Sequence, residues 1–542
     1  MSQLAAWMQK TPPPPSSEDS EPAEDVRTWT WLRALLLWLA CVAAAAGYGW
    51  WIQPSAPDDA MIVLRYARNL VEGHGWVFNV GERVNGSTSA GNTLLLALFG
   101  FATGGHWLLA QLIVFALGLG SALFAVLRLF APFGRTPAVL AAAMCLATPL
   151  LGWTCGMETA PVLGCAGLAA LSFETRRYRW TGLWLGLLCL ARPDGLLLAL
   201  VILGAFLLRH SRTGDGELRA RLPALLTGLA IFVLVLLPWY GFSWLYFGEL
   251  LPQTLGAKTA QVAAGVFGEP GGVFVRGFHE QAMLVHLHYR PMELQPTIHD
   301  LLANQTVREA WPEGLYSSLG LYLLLGSLGS YVLGGVGAIV ALLIRHGAVP
   351  LIVWGIVHFV VYSLLGVGIY AWYYIPLSFA MTLSVAVLVA LIWRRLPGAL
   401  PRGIAIAIAA GWIFVHFASM DRGEERFSHY GAYLEVARWM DENAEPDATL
   451  ACCEIGVLGF EMPERPILDM WGLVNAKGAT AVQEQRFDWW VDEDPEYVLF
   501  HNPPWPHIEA SALERREFLD DYEAKGVIVY RKQQLTILRR KF

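Results

Sequence analysis

Trp31 to Trp51 reads WLRALLLWLACVAAAAGYGWW, and a few residues later comes Pro57-Asp58-Asp59-Ala60. The apolar run carries one charge, Arg33, and as a helix it is long enough to cross a hydrocarbon layer about 30 Å thick. A helix closes all of its own backbone hydrogen bonds, so such a run is stable in lipid where an open chain is not. The run starts late, after a polar tail, so it is expected to be a permanent crossing rather than a cleaved leader.

Similar blocks recur along the chain. Crossings are expected near 31–51, 106–127, 137–150, 157–173, 181–191, 195–209, 222–242, 316–344, 349–366, 375–393 and 403–420. The whole sequence of 542 residues is 55% hydrophobic and 15% charged, too apolar for a soluble protein of this size. The net charge of -7 and the lack of a basic exposed segment argue against a nucleic-acid partner. Seven cysteines fall into no zinc or redox spacing, and Cys452 reads as a buried strand residue.

About eleven crossings put the termini on opposite sides. Arg33, Arg128, Arg135, Arg176, Arg177, Arg179, Arg209 to Arg221, Arg345, Arg394 and Arg395 then share one side, which the positive-inside tendency makes cytoplasmic. Residues 1–28, with Pro12 to Pro15, are expected to form a flexible cytoplasmic tail. Residues 29–420 form the membrane domain with outer loops 52–105 and 243–315. Residues 421–542 form a soluble extracytoplasmic α/β domain, with a helix over 433–440 and strands over 449–455, 497–500 and 526–530. The location implied is an inner or plasma membrane.

Polar residues concentrate in the first outer loop. Asp58 and Asp59 are adjacent and so point different ways; each suits a base, a metal ligand or a phosphate-site organiser, or else a helix cap. Met61 to Leu70 reads as an amphipathic helix at the interface, with Arg65, Arg68 and Asn69 grouped to meet a lipid phosphate or simply to anchor in anionic lipid. Asn85, Ser87 and Thr88 follow in glycine-bearing turns that suit sugar hydroxyls, while His74, with no partner set that demands a metal, reads as an ordinary loop or hydrogen-bonding residue. Glu158 sits at the outer end of a short crossing. Arg192 and Asp194 interrupt an apolar run, where they must pair or face a polar cavity. Lys258 is a phosphate partner or a solvated charge. His286, His288, His299 and Asp300 are loop residues with no metal-ligand spacing of their own. Tyr370 and Tyr373 belong to an aromatic patch that serves as an interfacial belt or borders an entrance for sugar or isoprenoid.

Asp58-Asp59-Ala60, Leu64-Arg65-Tyr66-Ala67-Arg68-Asn69-Leu70, Gly73-His74-Gly75, Phe78-Asn79 and Gly81-Glu82-Arg83-Val84 together resemble the polytopic GT-C glycosyltransferases, most of all their arabinofuranosyltransferase-like branch. Gly156-Met157-Glu158-Thr159, Arg192-Pro193-Asp194-Gly195-Leu196 and Asp469-Met470-Trp471-Gly472-Leu473 extend the resemblance over most of residues 31–542. It implies a GT-C-like helical membrane core with an extracytoplasmic active site, in which a first-loop acid supports sugar transfer from a polyprenyl-phosphate donor.

Under that resemblance Asp58 is expected to be catalytic, with Asp59 and Glu158 as supporting or alternative acids. Arg65, Arg68 and Arg192 would bind the donor phosphate. Asn69, His74, Asn85, Asp194, Tyr370 and Tyr373 would shape the sugar pocket. A divalent cation is an optional cofactor with no defined ligand set. The expected partners are membrane lipid, the lipid-linked sugar, and an envelope glycan, lipid or protein acceptor. Other readings are an aminoarabinose-type modification of lipid A, a transporter, or a structural envelope protein without chemistry.

Overall fold

The computed structural model describes residues 31–52, 57–211, 215–266, 313–418, 424–531 and 533–541. The tail 1–28 and the segment holding His286, His288, His299 and Asp300 lie outside the described residues. What is described is a polytopic helical membrane protein, with a mixed sheet at its C-terminal end.

Helix α1 (Trp31–Ile52) is long and apolar enough to cross a membrane. The first loop then folds into α2 (Asp58–Val71) and α3 (Ala90–Ala102). The loop is not only a polar connection, because Leu94, Leu98 and Phe101 of α3 are exposed apolar residues. Next come α4 (Trp107–Phe130), α5 (Arg135–Leu146), α6 (Thr159–Glu174) and α7 (Tyr178–Ala191). The crossing expected over 137–150 is broken after Leu146, and Pro149–Trp153 forms a separate short helix. Proline lacks the amide that would continue the ladder, and it disfavours helix at the residue before it.

Helices α4 and α6 cross at glycines. A Cβ on Gly118 would stand 2.4 Å from the Ala160 carbonyl carbon, and one on Gly164 would stand 2.5 Å from the Gly118 carbonyl oxygen. Only residues without a side chain permit that approach, the usual means by which helices associate where water supplies no hydrophobic drive. Helices α6 and α7 form an antiparallel hairpin turned by Arg176, which adopts a left-handed φ of 58°. The hairpin returns Arg192 to the end of the bundle from which Glu158 departed.

The remaining helices are α8 (Leu196–Ser211), α9 (Asp215–Phe247), α10 (Thr254–Ala263), α11 (Glu313–Ile344), α12 (Val349–Leu365), α13 (Ile375–Arg395) and α14 (Ala399–Ala418). Among the described residues, four stretches are long and apolar enough to cross a membrane alone: Trp31–Ile52, Trp107–Phe133, Arg219–Phe247 and Trp372–Arg395. Shorter apolar helices pack among them. One core joins these helices, with Trp354, Phe173 and Leu383 at its centre.

The C-terminal unit opens with α15 (Glu424–Asn443) and strand β1 (Leu450–Cys452), followed by α16 (Gly456–Glu461), β2 (Ile467–Asp469), α17 (Ala476–Gln483), β3 (Tyr497–His501), β4 (Tyr522–Tyr530) and β5 (Gln533–Arg540). The sheet order is β2-β1-β3-β5-β4; β1 runs parallel to β2 and β3, while β5 is antiparallel to β3 and β4. A second core shares this unit with α2, Trp76 and Phe78.

Helix α2 therefore does not lie with its apolar face against lipid, as its amphipathic pattern implied. That face is buried in protein, and nine of its residues between Ala60 and Asn69 are inaccessible.

Candidate functional site

Two adjacent residues in the first turn of α2 lie about 100° apart around the helix, so they address different surroundings. Asp58 faces the C-terminal unit. Its Oδ2 accepts the Gly456 amide at 2.9 Å and its Oδ1 the Val457 amide at 2.9 Å, so both oxygens cap the start of α16. Burial and the nearby Glu454 carboxylate push Asp58 up to about 8, against the pull of those two amides. Gly456 has to be glycine here, since a Cβ would stand 1.9 Å from the Asp58 carbonyl oxygen.

Asp59 faces a cavity of about 310 Å³. Lys258, carried by α10, reaches across to donate from Nζ to Asp59 Oδ2 at 2.6 Å. Burial alone would lower the lysine, but the Asp59 charge outweighs it and holds the ammonium protonated. The ammonium also lies over the rings of Tyr370 at 4.4 Å and Trp372 at 5.1 Å, which supports a cation with little water. Tyr370 in turn donates from its hydroxyl to Gln261 Oε1 at 2.7 Å.

On another wall Arg192 is held from several directions. Its Nη2 donates to Asp194 Oδ2 at 2.6 Å, its Nη1 donates to the Trp372 carbonyl at 3.3 Å, and its plane lies over Tyr373 at 5.1 Å. Glu158 Oε1 is 3.9 Å from Nη1. Asp194 Oδ2 also accepts the Tyr362 hydroxyl at 2.6 Å and meets His358 Nε2 at 2.9 Å. His358 is fully buried in α12, one turn before Tyr362, and the two rings stack with centroids 4.0 Å apart. Three donors on one carboxylate oxygen fix Asp194, and Asp194 fixes the guanidinium.

The cavity has a polar and an apolar side. Asp59, Glu158, Arg192 and Lys258 line the first; Leu196, Leu251 and Leu365 line the second and are at least half exposed. The C-terminal unit also contributes Leu473. Asp469 shapes that loop, accepting the amides of Trp471 at 3.0 Å and Val474 at 2.8 Å, while Gln253 donates to the Gly472 carbonyl at 2.9 Å.

The structure thus brings together Asp59, Glu158, Arg192, Asp194 and Tyr373, with Tyr370 behind Lys258. It does not bring Asp58, Arg65, Arg68, Asn69, His74 or Asn85 to the cavity wall. Arg65 is buried and donates to the carbonyls of Phe78, at 3.0 Å, and Pro463. Arg68 donates to Glu72 at 2.7 Å and to the Phe460 carbonyl at 3.1 Å. Asn69 holds the carbonyls of Val77 and Phe78, His74 lies outside near Glu72, and Asn85 donates to Ser243 Oγ at 3.1 Å. Asn79 pairs with both backbone groups of Ile467, like an added rung on β2.

Part of the first-loop motif therefore packs against the C-terminal unit. Asp58, Arg65, Arg68 and Asn79 meet backbone partners there, whereas Asn69 braces the loop's own Val77 and Phe78 carbonyls and Asn85 bonds Ser243.

His358 and Tyr362 were not singled out from the sequence. The available signal was a histidine and a tyrosine four apart in an apolar helix, where an ionisable residue needs a partner. Among the described residues no group of three or more His, Cys, Asp or Glu side chains converges as a metal site. Among the described residues, the carboxylates on the cavity wall are Asp59, Glu158 and Asp194, each facing a cation.

Comparison with known proteins places this fold. The chain resembles ArnT from Cupriavidus metallidurans bound to undecaprenyl phosphate, with a TM-score of 0.54 and 13% identity over 94% of this chain and 98% of that one. The apo state of the same protein matches with a TM-score of 0.53 and 13% identity, over 93% of this chain and 98% of that one. The chain thus shares the fold of ArnT.

In sequence, the chain is 47% identical over 70 residues to the terminal beta-(1->2)-arabinofuranosyltransferase of Mycobacterium tuberculosis (strain ATCC 25618 / H37Rv). The match covers 12% of this chain and 11% of that relative. Residues 420–538 match a family model described as a domain of unknown function, DUF8728.

Proposed function

We propose that this chain is a membrane glycosyltransferase that moves arabinofuranose, or a related sugar, from a polyprenyl-phosphate donor to a hydroxyl of an envelope glycan or protein. The observation that carries the reading is the cavity itself: Asp59 meets the buried Lys258, Arg192 with Glu158 and Asp194 stands on another wall, and the lining continues into exposed leucines. A phosphate with a long hydrocarbon tail needs that combination of charge and apolar surface. The short sequence match to an arabinofuranosyltransferase supports the choice of sugar, and the ArnT fold supports a lipid-phosphate donor.

In this reaction the acceptor oxygen forms a bond to the anomeric carbon as the bond from that carbon to the phosphate oxygen breaks. Asp59 takes the hydroxyl proton, and the phosphate leaves with the bonding electron pair. Lys258 and Arg192 stabilise the charge collecting on it. Asp194, His358 and Tyr362 position Arg192, and Glu158 orients it from the cavity side. Asp59 and Glu158 would hold a divalent ion, which would add charge stabilisation at the phosphate.

The resulting role for Asp58 is structural: it seats the C-terminal unit so that Leu473 closes the cavity. The eleven-crossing topology, with a cytoplasmic N-terminus and the cavity and C-terminal unit outside, accords with this chemistry, since envelope acceptors are outside. The direct test is incubation of purified protein with labelled polyprenyl-phosphate sugars and envelope acceptors, followed by product mass. A mass gain of one pentose on a hydroxyl-bearing acceptor is expected. Release of unchanged donor across vesicles without any product would favour transport instead.

A further inference from the structure

Gln253 immediately precedes α10, five residues before Lys258, and joins the first loop, the second loop and the C-terminal unit. Its backbone amide donates to the Asn85 carbonyl at 3.1 Å, and its side-chain Nε2 donates to the Gly472 carbonyl at 2.9 Å. Its own carbonyl accepts the Ala257 amide at 3.2 Å and so opens the helical ladder of α10. The transfer reaction as described uses none of these bonds.

The far end of the side-chain bond is a fixed point. Gly472 adopts a left-handed φ of 71°, and a Cβ there would stand 2.1 Å from the Ala479 amide nitrogen, so both the conformation and the close approach require glycine. Asp469, fully buried, holds the same turn through the Trp471 and Val474 amides. The carbonyl that Gln253 meets is therefore set from within the C-terminal unit.

Helix α10 is held there a second time. A Cβ on Gly256 would stand 2.5 Å from Nε2 of Gln483, the last residue of α17. Residues two apart lie about 200° apart around a helix, so Gly256 and Lys258 occupy opposite faces. One face of α10 rests on the C-terminal unit while the other presents the ammonium to Asp59 at 2.6 Å. A lysine stem has several rotatable bonds, so where its tip rests depends on how firmly the helix beneath it is set.

We propose that Gln253 is a positioning residue, fixing the register of α10 against the C-terminal unit and so placing Lys258 against Asp59 on the cavity wall. The effect on rate rests on the transfer reading; the placement itself does not.

Gln253→Met keeps the side-chain length at a half-buried position and removes the donor. Its kcat should fall about 30-fold, as expected when a charge is misplaced by about 1 Å. In a Lys258→Met background the same change should cost less than about twofold, because no ammonium is left to place, whereas a general loss of folded protein would multiply through both backgrounds.

Placement is read without turnover by limited acetylation of the full chain with acetic anhydride, followed by peptide mass. Lys258 should acetylate about tenfold faster in Q253M, because a weakened ion pair leaves more neutral amine. Exposed Lys477 should react equally in both proteins. His501→Phe, which weakens the C-terminal unit through other contacts, should leave Lys258 at its wild-type rate. Unchanged acetylation of Lys258 in Q253M, an equal rise in H501F, a wild-type kcat in Q253M beside a slow K258M, or an undiminished loss in the K258M background would each overturn the proposal. Faster acetylation in Q253M together with a wild-type kcat in K258M would uphold the placement and overturn the role of Lys258 in transfer.

Discussion

Lys258 Nζ stands 2.6 Å from Asp59 Oδ2, although the two residues are 199 positions apart in the chain. The pair joins a helix of the first loop to a helix of the second across the cavity. The carboxylate keeps the ammonium protonated against the pull of burial, and the ammonium in turn rests on the Tyr370 and Trp372 rings.

Replacing Lys258 by Met should therefore lower kcat by about 100-fold to 1,000-fold, the size of effect seen when one preorganised charge is removed from a developing anion. Lys258→Arg should retain part of the rate. Initial rates at saturating acceptor would measure this, and a wild-type kcat in K258M would remove Lys258 from the chemistry.

His358 touches Asp194, not the open cavity, so its effect should pass through the Arg192 guanidinium. His358→Leu should cut kcat by about 100-fold through misplacement and raise the donor KM, whereas His358→Gln, which can still donate to Asp194, should recover most of the loss. If leucine and glutamine at this position behave alike, His358 does not act through a hydrogen bond.

The interface at the start of α16 predicts a loss of stability. Asp58→Asn puts an NH₂ against one of two backbone amides and should cost about 1–3 kcal/mol, read as a lower unfolding midpoint of the full chain. Gly456→Ala should be worse, because its Cβ meets backbone rather than a movable side chain. An unchanged midpoint in both variants would show that this contact does not couple the two parts.

A pH-dependent stability is expected from the C-terminal unit. His501 Nδ1 lies 2.7 Å from Glu509, its Nε2 lies 2.9 Å from the Tyr433 hydroxyl, and Glu454 bonds Tyr433 and also faces His429. Burial would lower His501, but its bonds to Glu454 and Glu509 prevail and raise it from 6.5 to about 9. Burial would raise Glu454, but His429 and His501 hold it down at about 2.

The raised histidine contributes fully below pH 6.5, and its contribution is lost as the pH climbs through about 9. The lowered carboxyl contributes above its ordinary 4.5 and loses that contribution only as the pH falls through about 2. The unfolding midpoint should thus fall between pH 6.5 and 9, and His501→Phe should lower it while flattening that slope. An equally steep slope in H501F would assign the dependence elsewhere.

Much of this was legible in the sequence. The apolar blocks and the strands around Cys452 and Tyr497 follow from hydropathy and alternation. Strand β2 does not, since three residues after a proline show no period. The first-loop acids were legible as a motif, but not their division of labour. That depends on where Gly456 sits, 398 residues away from Asp58. Arg65 and Arg68 read as cations for a lipid phosphate because an amphipathic pattern shows that one face is covered without saying what covers it. The partner is the C-terminal unit. Lys258 stood alone in a long loop, and only the fold supplies Asp59 opposite it.

The central claim is that Asp59, and not its neighbour, carries the proton transfer. Product formation by folded Asp59→Asn and Asp58→Asn variants, with the same donor and acceptor at saturating concentration, tests it most directly. Loss of about 100-fold to 10,000-fold in D59N, with D58N within about tenfold of wild type once corrected for folded fraction, is the predicted result. Equal activity of D59N and wild type, or selective loss in D58N, would contradict it.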